Sequence, residues 1–211
     1  MADTRTLSQF KSRLAGGGAR SNLFEVLIPS FPAAVGDRVW RTGSGRESET
    51  FNFLCKAAQL PASQMAEVPV PFRGRTLKVA GDRTFEPWTV TIINDEDFQL
   101  RTAFETWMNT MSKLNDATGV TNPSSYMTDA YVTQLGRGRV ANATRNTGGQ
   151  SSELRTYKFF DIFPTEVSAI DLSYDNSDQI EEFTVTFQVQ FFTIGNSTQA
   201  NRGAAGQTLI Q

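Results

Sequence analysis

Asp161, Glu166, Asp171, Asp175, Asp178, Glu181 and Glu182 follow one another through the late part of the chain, with no Lys or Arg among them. Carboxylates so grouped have two chemistries open to them: a pair for glycoside hydrolysis, or a hard-cation site. A hydrolytic pair must face across a cleft, which spacing alone does not supply. A calcium loop needs a glycine at its sharp turn and a terminal glutamate, and "DLSYDNSD" has neither. Solvated turn residues are the simpler reading. The cations are grouped elsewhere. Arg73, Arg75, Lys78 and Arg83 lie in and after "FRGRTLKVAG", and Arg137, Arg139 and Arg145 lie in a second segment. Such loops touch phosphate or pair with acids on a neighbouring subunit. The segregation of acidic and basic stretches favours subunit pairing.

Other reactive groups are scarce. Histidine is absent and Cys55 is the one cysteine. That removes Ser-His-Asp and Cys-His arrangements, imidazole bases, Cys/His zinc clusters and any disulfide within the chain. Cys55 sits among apolar neighbours in "FNFLCKAAQL" and reads as a buried, reduced thiol. The Gly16–Gly18 run lacks the Lys-Ser/Thr of a phosphate-binding loop. No catalytic, cofactor-binding or metal-binding residue, and no cofactor, is expected.

The elements that carry these residues alternate more often than they coil. "IEEFTVTFQVQFF", Ile180 to Phe192, reads as one strand with Phe183, Val185, Phe187, Val189 and Phe191 on one side. Glu182, Thr184, Thr186, Gln188 and Gln190 occupy the other side, which has no Lys or Arg. "RTFEPWTVTIIND" is a second such strand, with Trp88, Val90 and Ile92 opposite Thr89 and Thr91. "LFEVLIP", "FNFLCKAAQLP", "YVTQL" and "ELRTYKFFDIFP" add strands, and "SAIDLS" is a further one. Pro69 and Pro71 cannot donate ladder hydrogen bonds, so Val68 to Val79 is an edge or an extended excursion. A short helix is expected over Leu7 to Leu14. The main helix should start at Asn94 as N-cap, with Ile93 and Phe98 as a hydrophobic staple. Its apolar stripe is Leu100, Ala103, Phe104, Trp107, Met108, Met111 and Leu114, packed on a sheet, with Gly119 as terminator.

The whole chain has 211 residues, net charge −2, 39% apolar and 20% charged residues. This suits one large domain: an arm at 1–20, a β-domain at 21–195 with a loop at 136–152, and a tail at 196–211. A near-neutral balance argues against gripping nucleic acid by charge, and leaves open a protein that lets it pass. The start has no apolar signal core, and no stretch approaches a membrane span. Folding in a cytoplasm, without a membrane partner, is expected.

"PVPFRGRTLKVAGDRTFEPWTVTIIND" with the helix after it, and "YKFFDIFPTEVSAIDLSYDNSDQIEEFTVTFQVQFF", resemble the tail tube proteins of contractile-tailed bacteriophages. "FKSRLAGGGARSNLFEVLIP" and "FLCKAAQLP" fit the same family. The resemblance implies a non-enzymatic, mainly β subunit, an antiparallel β-sandwich or open barrel with one flanking α-helix. Its strands would join an inter-subunit β-barrel in a hexameric ring. Rings would stack into a tube inside a sheath, between baseplate and tail-terminator proteins, in a virion tail assembled in the host cytoplasm. Double-stranded DNA would cross the tube without tight binding. Independently, a channel wide enough for duplex DNA needs about sixteen strands or more, against roughly six to eight read here, so it must be shared among subunits.

On this reading Glu182, Thr184, Thr186, Gln188 and Gln190, with Thr89 and Thr91, line the channel. Phe183, Val185, Phe187, Val189 and Phe191 pack beneath the helix. Phe72, Arg73, Arg75 and Lys78 reach a neighbouring subunit. Rival readings are the tube of a protein-injecting contractile machine, a nucleic-acid-binding β-domain using "FRGR" and "GRGR", and a carboxylate hydrolase.

Overall fold

The computed structural model describes residues 7–13, 18–32, 51–52, 54–136, 152–175 and 179–195. The "GRGR" arginines, the loop after Gly136 and the tail after Gly195 lie outside them. Helix α1 spans Leu7–Arg13. Strands follow at β1 Phe24–Leu27, β2 Cys55–Ala58, β3 Ser63–Phe72, β4 Arg75–Phe85 and β5 Trp88–Ile93. Helix α2 is Gln99–Met111, and then come β6 Thr128–Gly136, β7 Ser152–Val167, β8 Glu182–Gln188 and β9 Phe191–Gly195.

Seven strands form one sheet in the order β1-β6-β7-β8-β5-β2, with β9 added on β7, while β3 and β4 pair only with each other. The chain separates into two compact units: 1–25 with 133–156 and 194–211, and 26–132 with 157–193. In the smaller unit, Leu135 N–H donates to Leu23 O at 2.9 Å, and the Thr133 and Thr156 hydroxyls meet at 3.1 Å.

The larger unit holds the core. In β5 every other residue is buried, Trp88, Val90 and Ile92, and β8 repeats this with Phe183, Val185 and Phe187. Helix α2 covers that face with Leu100, Ala103, Phe104 and Trp107. Phe104 meets Phe183 and Phe187 at ring separations of 6.5 and 5.8 Å, and Trp107 meets Phe187 at 6.2 Å. These are edge-on or tilted aromatic packings that add to the burial term. On the sheet side, Trp88 stacks on Phe159 at 4.6 Å.

Six local expectations are corrected. Asn94 does not cap α2: its N–H donates to Glu181 O and its Nδ2 to Glu181 Oε2, both at 2.9 Å. The cap is Phe98, left-handed at φ 53°, while Asp95 Oδ1 accepts from Gln99 N–H at 3.2 Å. Leu114 lies beyond the helix and is exposed, and the chain turns out at Ser112. Gly119 does not follow the helix end directly; it lies so close over the Met111 carbonyl that a Cβ would sit 1.9 Å from its oxygen. The "IEEFTVTFQVQFF" strand is broken, since β8 stops at Gln188, Gln190 N–H donates to Phe160 O at 3.4 Å, and β9 starts at Phe191. Phe191 therefore lies not under α2 but against Phe160, with rings 4.5 Å apart. "SAIDLS" forms no strand, and "FNFLC" contributes helical residues before a four-residue β2.

Candidate lumenal face and assembly hairpin

The register of β5 against β8 sets Thr89 opposite Thr186, Thr91 opposite Thr184 and Ile93 opposite Glu182. Directly opposed residues on antiparallel strands share a face, so the threonines, Ile93 and Glu182 make one surface, turned away from the α2 core. Gln188 belongs to the same alternation; Gln190 is exposed at the bend after β8. β7 extends the surface, with Glu166 opposite Thr186 and the Thr165 hydroxyl donating to Thr186 O at 3.1 Å. The structure thus brings together Thr89, Thr91, Glu182, Thr184, Thr186 and Gln188.

Sequence reasoning missed the paired lysines, Lys56 at this surface and Lys158 on β7, because neither lies on β5 or β8. Lys56 of β2 is 2.5 Å from Glu182 Oε1. Lys158 of β7 is 2.8 Å from Asp129 of β6 and lies 4.1 Å over the Phe160 ring. Burial pulls Lys158 towards the neutral form, but the Asp129 hydrogen bond and the neighbouring Tyr131 outweigh it and raise its pKa. Each lysine therefore sits beside a carboxylate that offsets its charge. Cross-strand ion pairs of this kind were not legible in either segment alone.

The hairpin β3–β4 is built differently. Every residue of β3 is exposed, and β4 is exposed almost throughout. Arg73 and Gly74 have φ of 45° and 79°, the two positive angles of a tight turn whose twist suits a hairpin. The Arg73 guanidinium lies 5.3 Å over the Phe72 ring. Val68 opposes Val79, Val70 opposes Leu77 and Phe72 opposes Arg75, so one face of the ribbon is an apolar stripe ending in a cation. Phe72 and Leu77 are 66% and 63% exposed. Gly81 packs tightly at the bulge: a Cβ there would meet Ala66 O and Val68 Cγ2 at 3.1 Å. Lys78 pairs with Glu67 at 2.8 Å within the hairpin.

No group of three or more potential metal ligands occurs among the described residues. Cys55 is buried, and burial pushes its thiol up to about 12.

A family model described as phage tail tube protein matches residues 19–194. The chain is 32% identical over 179 residues to the tail tube protein gp19 of Enterobacteria phage T4, covering 84% of this chain and 93% of that one. It is 24% identical over 181 residues to the tail tube protein of Serratia phage KSP90, covering 85% and 91%. A chain of the anti-feeding prophage baseplate shares the fold with a TM-score of 0.57 at 12% identity, covering 85% of this chain and 96% of that one. A chain from the sheath/tube terminator of an extracellular contractile injection system does so at 0.53 and 13%, covering 84% and 96%. The chain belongs to the phage tail tube protein family.

Proposed function

We propose that copies of this chain form hexameric rings that stack into the tube of a contractile phage tail, and that the polar face of β5 and β8 lines its channel. The observation that carries this is the shared threonine face, with Thr89 against Thr186 and Thr91 against Thr184, at whose edge Lys56 is paired with Glu182. Repeated phosphate contacts along a stack would sum to a strong, salt-dependent hold on DNA. A hydrated wall with its cation offset avoids that hold. Double-stranded DNA then passes in transit, and the chain acts as a structural part rather than an enzyme.

The hairpin supplies the reach to a neighbouring subunit. Its exposed apolar stripe and its arginines need a cover that the described residues do not provide. The baseplate resemblance comes from a 6-fold symmetrised assembly, which supports the ring number. Likeness to chains from a baseplate, a tube cap and a sheath/tube terminator supports contact with sheath, baseplate and terminator proteins in the virion tail. Assembly in the host cytoplasm belongs to the same proposal. DNA is favoured over protein cargo, because relatives at 32% and 31% identity are phage proteins while the injection-system chains share only the fold.

Negative-stain imaging of the purified, concentrated protein tests this reading. Rings or tubes are expected. Uniform small particles that bind DNA with a steep salt dependence would instead support the nucleic-acid-binding reading.

A further inference from the structure

The loop between β7 and β8 carries a second uncovered surface. Leu172 and Ile180 are 79% and 71% exposed, and Tyr174 is fully exposed. Asp171 and Asp175 lie beside them, and no cation falls between Asp161 and Glu182. Large apolar side chains interleaved with acids are unusual in a solvated turn, where polar residues suffice. The hairpin end is its complement: Phe72 and Leu77 exposed, flanked by Arg73 and Arg75, which have no carboxylate partner among the described residues. Both segments belong to the same compact unit, and both remain uncovered in it.

We propose that the hairpin end of one copy docks on the β7–β8 loop of another, Phe72 and Leu77 against Leu172, Tyr174 and Ile180, Arg73 and Arg75 against Asp171 and Asp175. This rests on the tube reading and names the surface that receives the hairpin. An apolar centre with a charged rim is the ordinary anatomy of a specific interface, and arginine beside an exposed tyrosine adds a cation–π component. The two patches differ, so the contact is head-to-tail. Repetition of such a contact closes a ring or extends a stack, whereas a two-fold dimer requires the same two copies to exchange it reciprocally.

Charge exchange tests the pairing in the full chain. Arg73→Glu with Arg75→Glu, and separately Asp171→Arg with Asp175→Arg, should each raise the concentration at which tubes form by about tenfold or more, since like charges then meet across the interface. Circular dichroism and thermal midpoint should stay at wild-type values, because all four positions are exposed. The variant carrying all four changes should regain assembly. Tubes from either pair at the wild-type concentration, or a fourfold variant no better than its parents, would overturn the docking. A second readout separates this from the tube reading itself. Arg75→Cys and Asp175→Cys copies, mixed under mild oxidation, should form a crosslinked dimer. A crosslink without wild-type tubes leaves the docking standing and removes the tube. Tubes with neither crosslink nor rescue remove the docking alone.

Discussion

Lys56 Nζ lies 2.5 Å from Glu182 Oε1, bringing a cation to a face whose β5 and β8 residues include no Lys or Arg. Lys56 stands on β2, Glu182 on β8, and β5 runs between them. The pair is partly exposed, so its contribution to stability is small, of the order of the 0–1 kcal/mol typical of surface pairs. Its consequence is electrostatic: the lysine reaches the polar face already offset.

A polar face that avoids holding phosphate should respond to added, unpaired charge. Thr186→Lys with Gln188→Lys should still permit assembly, since both positions are half-exposed and the new amines stay hydrated. Phage carrying both changes should eject DNA more slowly than wild type, most of all at low salt, where screening is weakest. Ejection rate measured against ionic strength checks this. Wild-type rates at every salt concentration would count against a lumenal position.

The hairpin should be needed for assembly and dispensable for folding. Phe72→Ala with Arg75→Ala removes an exposed ring and an exposed guanidinium from the far end of a ribbon whose base packs on its own unit through Phe85 and Phe192, 5.4 Å apart. The expected product is a folded monomer with unchanged thermal midpoint that makes no tubes. Normal tubes, seen by electron microscopy, would show that the stripe is not the point of attachment.

How far the chain could be read in advance follows from the range of the forces involved. The alternation of β5 and β8 is local, and it correctly separated Trp88, Val90, Ile92, Phe183, Val185 and Phe187 from the threonines. The prolines of β3 marked a strand that takes no place inside a sheet, and a two-stranded ribbon is where they sit. What escaped was set at long range. Gln190 looks like one more polar residue in a continuing strand, yet its N–H is bound to Phe160, thirty residues back along the chain, and the chain bends there. Asn94 has the chemistry of a cap, but Glu181, just before the neighbouring strand β8, claims it. The left-handed Phe98 that replaces it is a residue type with no capping side chain, and nothing nearby in sequence signals it. The lysine of the candidate channel face was hidden for the same reason: register, not spacing, brings Lys56 to Glu182.

Trp107 joins helix to sheet and should be the costliest single truncation tested. It is 0% exposed, its ring meets Phe31, Phe104 and Phe187, and its Nε1 donates to Tyr126 O at 2.7 Å. Trp107→Ala should lower the unfolding free energy by about 3–5 kcal/mol through the cavity and the lost indole packing. Denaturant unfolding of the monomer measures it; a loss below about 1 kcal/mol is incompatible with a core position.

Cys55 should be unreactive until the fold opens. Burial raises its thiol from 9.0 to about 12, partly countered by a backbone hydrogen bond at Ala57. The raised folded value favours the neutral thiol, so the contribution to stability is complete below the unfolded pKa near 9. It is lost as pH climbs towards 12. A thiol reagent at pH 8 should label denatured protein at once and native protein only at the rate of opening. Rapid labelling of native protein would place Cys55 outside the core.

A cryo-electron-microscopy reconstruction of the assembled protein tests the central claim most directly. Six copies per ring are expected, with Thr89, Thr184, Thr186 and Gln188 facing the channel and α2 on the far side of the sheet from it. A tube whose channel is lined instead by α2, with the threonine face on the outer wall, would contradict the claim.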